Sequence, residues 1–318
     1  MTTSELIQAY VQAKRAHGVM LRSGERVLYQ FARETGDCAL ADVTADAVAA
    51  FLRGAGDISA TWQTKHALLA GLYRFAIARG HAATAVLPEQ RPKLPAPITP
   101  YVYSRDEVQR LLDAASTLES PCSPLQAHTY RVLLLLLYAT GLRVSEGLRL
   151  TLADTDLIGR VLTVKETKFH KTRLVPIGDQ LARALDKYVE QRSALPTLAG
   201  SASALLASRS GHRLDYQRVV TLFQRVRLRA GIGCPAGEHR PPRLHDLRHT
   251  AAVHRVIAWY RDGKNVQQML PHLATYLGHA SIASTQRYLQ MTPTLLQQAS
   301  LRFAAYAGVE NPPEISHA

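Results

Sequence analysis

Ten residues about one third of the way along the chain constrain its fold more than any other feature. The segment RPKLPAPITP, residues 91–100, contains four prolines. Proline fixes φ and has no amide hydrogen, so such a run neither continues a helix nor joins the middle of a sheet. We therefore predict a semi-rigid, extended linker at residues 91–100 with one domain on each side.

Residues 1–90 have the pattern of a small helical domain. Cap residues and glycines delimit predicted helices at 4–17, 24–35, 44–54 and 59–80. Ser4, Thr44 and Ser59 are the predicted N-caps of the first, third and fourth helices. In the fourth helix Leu68, Leu72 and Phe75 fall on one apolar stripe, with Leu69 and Ala76 beside it, and this stripe is predicted to be buried.

The charge of the chain favours a polyanionic partner. It has 38 Lys+Arg against 25 Asp+Glu, a formal net charge of +13. Arginine outnumbers lysine, and its forked guanidinium suits phosphate. Lys65, Arg74 and Arg79 of the fourth helix are candidate contacts to DNA phosphates. The alternatives are a generic basic surface and solvated cations on an ordinary helical bundle.

Residues 101–306 have the pattern of a larger domain that is mainly α-helical. Helices are predicted near 104–115, 124–139, 179–192, 216–230, 245–260, 266–277 and 293–305, with a short helix starting at Val144. Residues 161–165 and 174–177 are rich in β-formers and predict a hairpin or small antiparallel sheet. Residues 307–318 are predicted to be a disordered tail.

Several classes of protein are disfavoured by the sequence. The longest apolar run, VLLLLLYA at residues 132–139, is too short to span a bilayer, so we expect no membrane partner. The start MTTSELIQAY lacks the charge and apolar pattern of a signal peptide. The three scattered cysteines are typical of a reducing cytoplasm, where we expect the protein to act.

The motif HDLRH, residues 245–249, places two phosphate-binding side chains together. His245 and Arg248 are three residues apart and share one face of a helix. His245 and His249 also have the HxxxH spacing of metal sites. No HExxH motif is present, and Arg248 would lie beside the cation, so we predict no metal. The remaining alternative is a helix start with satisfied polar groups.

Three further motifs each have a functional and an ordinary interpretation. In TGLRVSE, Arg143 follows a glycine turn at a helix start that favours an anion, and Glu146 can orient its guanidinium or form a surface pair. In KETKFHKTRLVPI, Lys168 lies in a turn between strands, where lysines are usually solvated. In LGHASIASTQRY, Tyr288 is nine residues after His279, and a half-buried packing role is its alternative.

The order of these motifs resembles that of the tyrosine recombinases, the phage-integrase superfamily. The resemblance covers residues 100–300, and residues 1–90 look like the family's helical, SAM-like core-binding domain. It implies a two-domain, C-shaped clamp with the catalytic domain at 101–306. The stretch between Arg248 and His279 looks longer than in compact members and resembles a subgroup found in mobile elements.

The resemblance implies a catalytic set of Arg143, Lys168, His245, Arg248, His279 and Tyr288. Tyr288 would attack the scissile phosphate and form a 3′-phosphotyrosyl intermediate. Lys168 would protonate the leaving oxygen and His245 would accept the tyrosine's proton. Lys165 and Lys171 remain alternatives to Lys168 as the general acid.

The other roles implied by the resemblance concern phosphate and DNA. Arg143, Arg248 and His279 would bind the phosphate as its negative charge grows. One phosphodiester replaces another, so no ATP and no cofactor is expected, and the sequence has no GxxxxGK[ST] loop. Candidate DNA contacts in this domain are Lys171, Arg173 and Arg225, the last in the arginine-rich segment QRVVTLFQRVRLRAG.

The expected partner is double-stranded DNA with specific recombination sites. Strand exchange implies a homo-tetramer on DNA, with accessory recombinases as further partners and a nucleoid-associated location. The stripe of Leu295, Ala299 and Phe303 would pack against a neighbouring subunit or within its own domain. Two alternatives to a recombinase are a type IB topoisomerase and a DNA-binding accessory factor without cleavage activity.

Overall fold

The computed structural model describes residues 1–56, 58–95, 99–165, 172–235, 237 and 240–279. The chain divides into two compact units, Met1–Ile98 and Thr99–Ala318, and this division lies within the proline-rich segment. The buried apolar residues of the first unit form one cluster, and those of the second form two. Across the described ranges, no helix is both long and apolar enough to cross a membrane.

The described residues of the first unit contain four α-helices. They are α1 (Thr3–Ala16), α2 (Arg22–Glu34), α3 (Ala45–Arg53) and α4 (Ala60–Ile77). Thr44 and Ser59 cap α3 and α4 as predicted. The predicted cap Ser4 was wrong, because Thr2 and Glu5 form a reciprocal capping box at α1. The amide of Ser4 instead donates to Asp37 Oδ1 at 2.7 Å.

The buried face of α4 contains one residue of the predicted stripe, Leu72, and the two residues predicted beside it, Leu69 and Ala76. Its fully buried residues are Trp62, Leu69, Leu72, Tyr73 and Ala76. Leu68 and Phe75 are only half-buried. Helical periodicity leaves two adjacent apolar stripes possible, and packing of α4 against α1, α2 and α3 selects the one that contains Leu69.

The second unit contains seven α-helices among its described residues. They are α5 (Arg105–Ser116), α6 (Gln126–Thr140), α7 (Val144–Arg149), α8 (Asp179–Arg192), α9 (Tyr216–Arg229), α10 (Asp246–Arg261) and α11 (Val266–Leu277). Several bounds agree with the predicted ranges, since caps and turn residues mark them. The predicted helix at 293–305 and the tail at 307–318 lie outside the described residues.

A small antiparallel sheet accompanies these helices. Its strands β1 (Thr155–Asp156), β2 (Val161–Val164) and β3 (Arg173–Pro176) pair in the order β1-β2-β3. Leu162 pairs with Val175, and both are fully buried. The predicted fold class, mainly α with a small antiparallel sheet, is confirmed. Strand β1 was not predicted because two residues carry no alternating pattern.

Helix α6 lies at the centre of the second unit and packs against α5, α8 and α10. Gly141 ends it in the left-handed conformation, with φ of 62°. A Cβ on Gly141 would lie 2.5 Å from Leu277 Cδ2, so the glycine permits the end of α11 to approach this turn closely. The stretch between Arg248 and His279 forms most of α10 together with α11.

Candidate active site

The starts of α7 and α10 and the end of α11 converge in the second unit. Arg143 is the residue before α7, His245 is the residue before α10, and His279 follows the turn that ends α11. Arg248 joins them from the first turn of α10. Four of the six predicted catalytic residues therefore lie in one region of the structure.

Arg143 is held on one side by its own helix and on the other by α11. Its Nη1 donates to Glu146 Oε1 at 2.8 Å and its backbone amide to Glu146 Oε2 at 3.0 Å. Its Nη2 donates to the carbonyl of Gly278 at 3.2 Å. The side chain remains 30% exposed, so a fixed guanidinium is available to an anion.

Arg248 is buried far more deeply, with 3% of its surface exposed. Its Nη1 donates to the carbonyl of Gly141 at 2.6 Å, and its Nη2 donates to that of Leu277 at 2.7 Å. Both acceptors are backbone carbonyls. One belongs to Gly141, in the turn after α6, and the other to Leu277, the last residue of α11. These two bonds fix the plane of the guanidinium, whose forked arrangement of N–H groups suits an oxyanion.

The carboxyl of Glu146 is shared between two arginines. Arg173 of β3 donates from Nη2 to Glu146 Oε2 at 2.8 Å and from Nη1 to Oε1 at 3.3 Å. Burial of Glu146 would raise its pKa, but the hydrogen bonds from Arg173 and Arg143 lower it to about 2. Glu146 thus contacts the guanidinium of Arg143, as its predicted orienting role requires. Arg173 is a second partner of Glu146 that the sequence did not suggest.

Three histidines of the region are electrically neutral at neutral pH. Burial, followed by the charge of Arg248, lowers the pKa of His245. Burial also lowers the pKa of His249 and of His279 to about 4. The rings of His245 and His249 meet edge to face with centroids 5.3 Å apart. A neutral imidazole can accept a proton or donate a hydrogen bond, as the predicted roles require.

Asp246 is a buried residue of this region that the sequence analysis did not single out. Its buried carboxylate accepts from the backbone amide of Arg243 at 2.7 Å and from Arg243 Nη2 at 2.9 Å. It therefore fixes the chain directly before α10, where His245 lies. The sequence signal that could have identified Asp246 is its place as an acidic residue at the first position of a helix.

The remaining catalytic predictions lie outside the described residues. These are Lys168 and Tyr288, together with Lys171, an alternative to Lys168. The other alternative, Lys165, forms an ion pair with the buried Asp154, with Nζ and Oδ1 2.6 Å apart. Lys165 is thus already paired at the end of β2. No group of three or more potential metal ligands occurs among the residues that the structure describes.

The predicted DNA contacts occupy different surroundings. Lys65 donates to the carbonyl of Phe51 at 2.6 Å and is half-buried, whereas Arg74 and Arg79 are exposed. Arg225 is exposed on α9. Arg173 is only 12% exposed because Glu146 engages it.

A basic groove in the first unit was not predicted as a whole. It has a volume of about 490 Å³ and is lined by Tyr10, Lys14, His17, Arg74, Phe75 and Arg79, among others. The guanidinium of Arg79 lies 3.8 Å from the ring centroid of Phe75, and Lys14 Nζ lies 5.5 Å from that of Tyr10. The cations come from α1, from α4 and from the residues directly after α4, so their proximity depends on packing.

Comparison with known proteins places this chain in a family. The sequence profile of the phage integrase family matches residues 102–294. This chain belongs to the phage integrase family. The motif-based recognition of a tyrosine recombinase is thereby confirmed. The matched range contains all six residues of the predicted catalytic set, whose individual roles remain predictions.

Two curated proteins illustrate the family's closeness to this chain. The putative integrase/recombinase y4rB of Sinorhizobium fredii is 32% identical over 306 residues, covering 95% of this chain and 96% of that protein. Tyrosine recombinase XerD of Mycobacterium tuberculosis is 34% identical over 229 residues, covering 72% of this chain and 68% of that protein. The first match extends over both compact units of this family member.

Solved structures show the same fold at lower sequence identity. A lambda integrase tetramer bound to a Holliday junction aligns with a TM-score of 0.66 and 23% identity, covering 91% of this chain and 77% of that one. The Tn1549 transposon integrase in complex with a circular intermediate DNA aligns with a TM-score of 0.65 and 18% identity, covering 96% of this chain and 100% of that one.

Proposed function

We propose that this integrase-family chain cleaves and rejoins DNA at specific sites through a covalent bond between Tyr288 and the 3′ phosphate. The observation that carries the proposal is the convergence of Arg143 and Arg248 with neutral histidines at the ends of three helices. Two fixed guanidinium groups in one place suit the two non-bridging oxygens of a phosphodiester.

In the proposed cleavage step, the phenolic oxygen of Tyr288 bonds to phosphorus as the bond to the 5′ oxygen breaks. His245 accepts the proton of the phenol, and Lys168 donates a proton to the leaving 5′ oxygen. The lowered pKa of His245 supports its part, because the imidazole is neutral before the reaction. Attack by a 5′ hydroxyl on the phosphotyrosine reverses the step without ATP.

Negative charge on the phosphate is the main electrostatic demand of this reaction. Arg143 and Arg248 would donate to the non-bridging oxygens, and His279 would add a neutral donor. Both arginines are already positioned by backbone carbonyls and Glu146. Little reorganisation is therefore required when the phosphate binds, which favours the transition state.

The partners belong to the same proposal. We propose that the substrate is duplex DNA carrying recombination sites of a mobile element and that four copies assemble on two duplexes, with accessory recombinases where the element encodes them. The aligned lambda integrase forms a tetramer on a Holliday junction, which supports this assembly. A C-shaped clamp of the two units and action in the cytoplasm at the nucleoid remain predictions.

The test of the proposed function is covalent capture. The protein is incubated with a library of nicked duplexes that contain a randomised segment, and adducts that survive denaturing detergent are recovered and sequenced. We expect a defined set of sequences, and we expect Tyr288→Phe to bind DNA but to form no adduct. An undiminished adduct in Tyr288→Phe would remove that residue from the mechanism.

A control separates recombination from simple relaxation. The wild-type protein is incubated with a supercoiled plasmid that lacks the recovered sequence and with one that contains it twice. Exchange between the two copies supports a recombinase. Relaxation of both plasmids without exchange would instead indicate a topoisomerase, and DNA binding without any adduct would indicate an accessory factor.

A further inference from the structure

Three consecutive backbone carbonyls at the end of α11 each accept a hydrogen bond from a different arginine. Arg173 Nε donates to Tyr276 at 3.2 Å. Arg248 Nη2 donates to Leu277 at 2.7 Å, and Arg143 Nη2 donates to Gly278 at 3.2 Å. The arginines come from β3, α10 and the start of α7. We call these three acceptors the carbonyl triplet.

The carbonyl triplet directly precedes His279. Carbonyls at the end of a helix lack helical partners and carry partial negative charge, so cationic donors are favourable there. The amides of Gly278 and His279 donate back to Thr275 and Ala274 at 3.0 and 2.9 Å. The position of His279 is therefore coupled to the arginines through this turn.

Arg173 differs from the other two arginines in its surroundings. Its three guanidinium nitrogens donate to Glu146 and to the carbonyl of Tyr276. Its side chain is 12% exposed, against 30% for Arg143. Arg173 thus has little surface to offer a ligand, whereas it contacts two groups that fix Arg143 and the end of α11.

Gly278 completes the contact with Arg173. It adopts the left-handed conformation, with φ of 68°, and a Cβ at this position would lie 2.6 Å from Arg173 Nη1 and 2.8 Å from its Cζ. Such distances are shorter than van der Waals contact. The guanidinium therefore packs against the bare backbone of the turn that leads to His279.

From these contacts we infer that Arg173 is a positioning residue for cleavage. It acts through Glu146 on Arg143 and through the carbonyl triplet on His279, and it does not bind DNA itself. The inference replaces the sequence-based prediction of a DNA contact at Arg173, and it rests on the proposed function of this site.

The decisive variant is Arg173→Lys, which retains the charge but loses the fork. A lysine can contact a DNA phosphate, but it cannot bind both oxygens of Glu146 and the carbonyl of Tyr276 in one plane. We expect single-turnover cleavage of a captured duplex at saturating DNA to fall about 100-fold, as for a small misplacement of catalytic groups. The dissociation constant and its dependence on salt should remain unchanged.

Three further variants separate positioning from loss of folding. Gly278→Ala adds a methyl group against Arg173 without altering any charge, and we expect slower cleavage in the same direction. Arg183→Gln removes an exposed arginine of α8 and should cleave like the wild type. When Arg143→Ala is already present, Arg173→Lys should cause little additional loss, because the two residues act as a unit. Circular dichroism and Tm monitor folding of each variant.

A direct phosphate contact makes a different prediction. Loss of such a contact in Arg173→Gln weakens binding and reduces the slope of log K against log salt by about one, with the saturated cleavage rate retained. That result, or wild-type cleavage by Arg173→Lys, would overturn the inference.

Hydrogen exchange without DNA tests the inference independently of the proposed function. In Arg173→Lys we expect faster exchange at the amides of Gly278 and His279, and unchanged exchange in α1 to α4. Failure of the wild type to form any adduct would overturn the proposed function alone. Unchanged exchange at the α11 turn would overturn the positioning of that turn by Arg173.

Discussion

The candidate active site and the basic groove of the first unit hold their cations in different ways. In the site, Arg143, Arg173 and Arg248 are fixed by backbone carbonyls and by the carboxylate of Glu146. In the groove, Arg79 lies over the ring of Phe75 and is exposed, and Arg74 is exposed although its Nε donates to the carbonyl of Ala70 in its own helix at 3.2 Å. Fixed donors suit a ligand with one defined charge distribution. Cations that lie on aromatic rings can move to match charges at different positions on a ligand.

This comparison separates two functions of positive charge. A transition state requires donors that are in place before the reaction, because reorganisation adds to the barrier. Binding along a nucleic-acid backbone depends mainly on the number of phosphates neutralised and tolerates side-chain motion. We therefore expect substitutions in the site to change rates and substitutions in the groove to change affinity.

The largest effect is expected for Arg248→Gln. It removes the proposed donors to the reacting phosphate, and we expect cleavage to fall by roughly 1000-fold. The buried carbonyls of Gly141 and Leu277 also lose their donors, which costs roughly 1–3 kcal/mol of stability for each unpaired group. Single-turnover adduct formation and thermal denaturation measure the two effects.

Arg192→Gln is the matched control for this variant. Arg192 is 1% exposed and donates from Nε to the carbonyls of Ala204 and Leu205 at 2.9 and 3.0 Å. It is therefore another buried arginine bound to backbone carbonyls, but it belongs to α8. We expect a similar loss of Tm with nearly normal cleavage by the folded protein. If Arg248→Gln and Arg192→Gln lose cleavage equally, reduced stability and not a lost phosphate contact explains the effect of Arg248→Gln.

The histidines provide a test of intermediate size. The pKa of His279 is about 4 in the folded protein, below its ordinary value of 6.5, because burial and the nearby arginines disfavour the charged form. The unfolded chain binds this proton as pH falls below about 6.5 and the folded chain does not. The free energy of unfolding should thus decrease as pH falls from about 6.5 toward 4.

Replacement of His279 should weaken this pH dependence. We expect the decrease in unfolding free energy between about pH 7 and about pH 4.5 to be smaller in His279→Gln, by on the order of 1 kcal/mol. His81→Gln, at an exposed position in the first unit, should behave like the wild type. Denaturant titrations at a series of pH values measure the difference. Identical pH profiles for wild type and His279→Gln would show that burial of this imidazole does not cause the pH dependence.

The smallest effect is expected in the groove. Arg74→Gln and Arg79→Gln should each weaken binding modestly and reduce the slope of log K against log salt by about one. Cleavage at saturating DNA should remain unchanged. Arg33→Gln, on α2, serves as a control for loss of charge in the same unit. Slower cleavage at saturating DNA in the groove variants would contradict the expectation that groove cations affect only affinity.

Much of the fold could be predicted because its signals are local. Helix α8 begins and ends at the predicted residues 179 and 192, and α11 at 266 and 277. The β-rich runs on either side of the lysine segment form β2 and β3. The predicted N-cap of α1, Ser4, was wrong. Thr2 and Ser4 are both suitable N-caps at this helix start, and local propensity does not favour one of them, but in the structure Thr2 forms the capping box with Glu5.

For the four predicted site residues that the structure describes, the sequence indicated only part of the contacts. The contact between Arg143 and Glu146 follows from three-residue spacing within one turn. The contact between Arg173 and Glu146 joins residues that are 27 positions apart, and the acceptors of Arg248 are backbone carbonyls. Every residue type has a carbonyl, so no side-chain pattern identifies those acceptors before the fold is known.

The use of main-chain acceptors has a consequence for protein engineering. The carbonyls of Tyr276, Leu277 and Gly278 exist whatever side chains the rest of α11 carries. Exposed positions such as Gln267 and Gln268 can therefore be redesigned without removing an arginine partner, provided that the helix keeps its course. Among the described residues of these turns, it is the two glycines, at 141 and 278, that restrict residue identity where the chain segments meet.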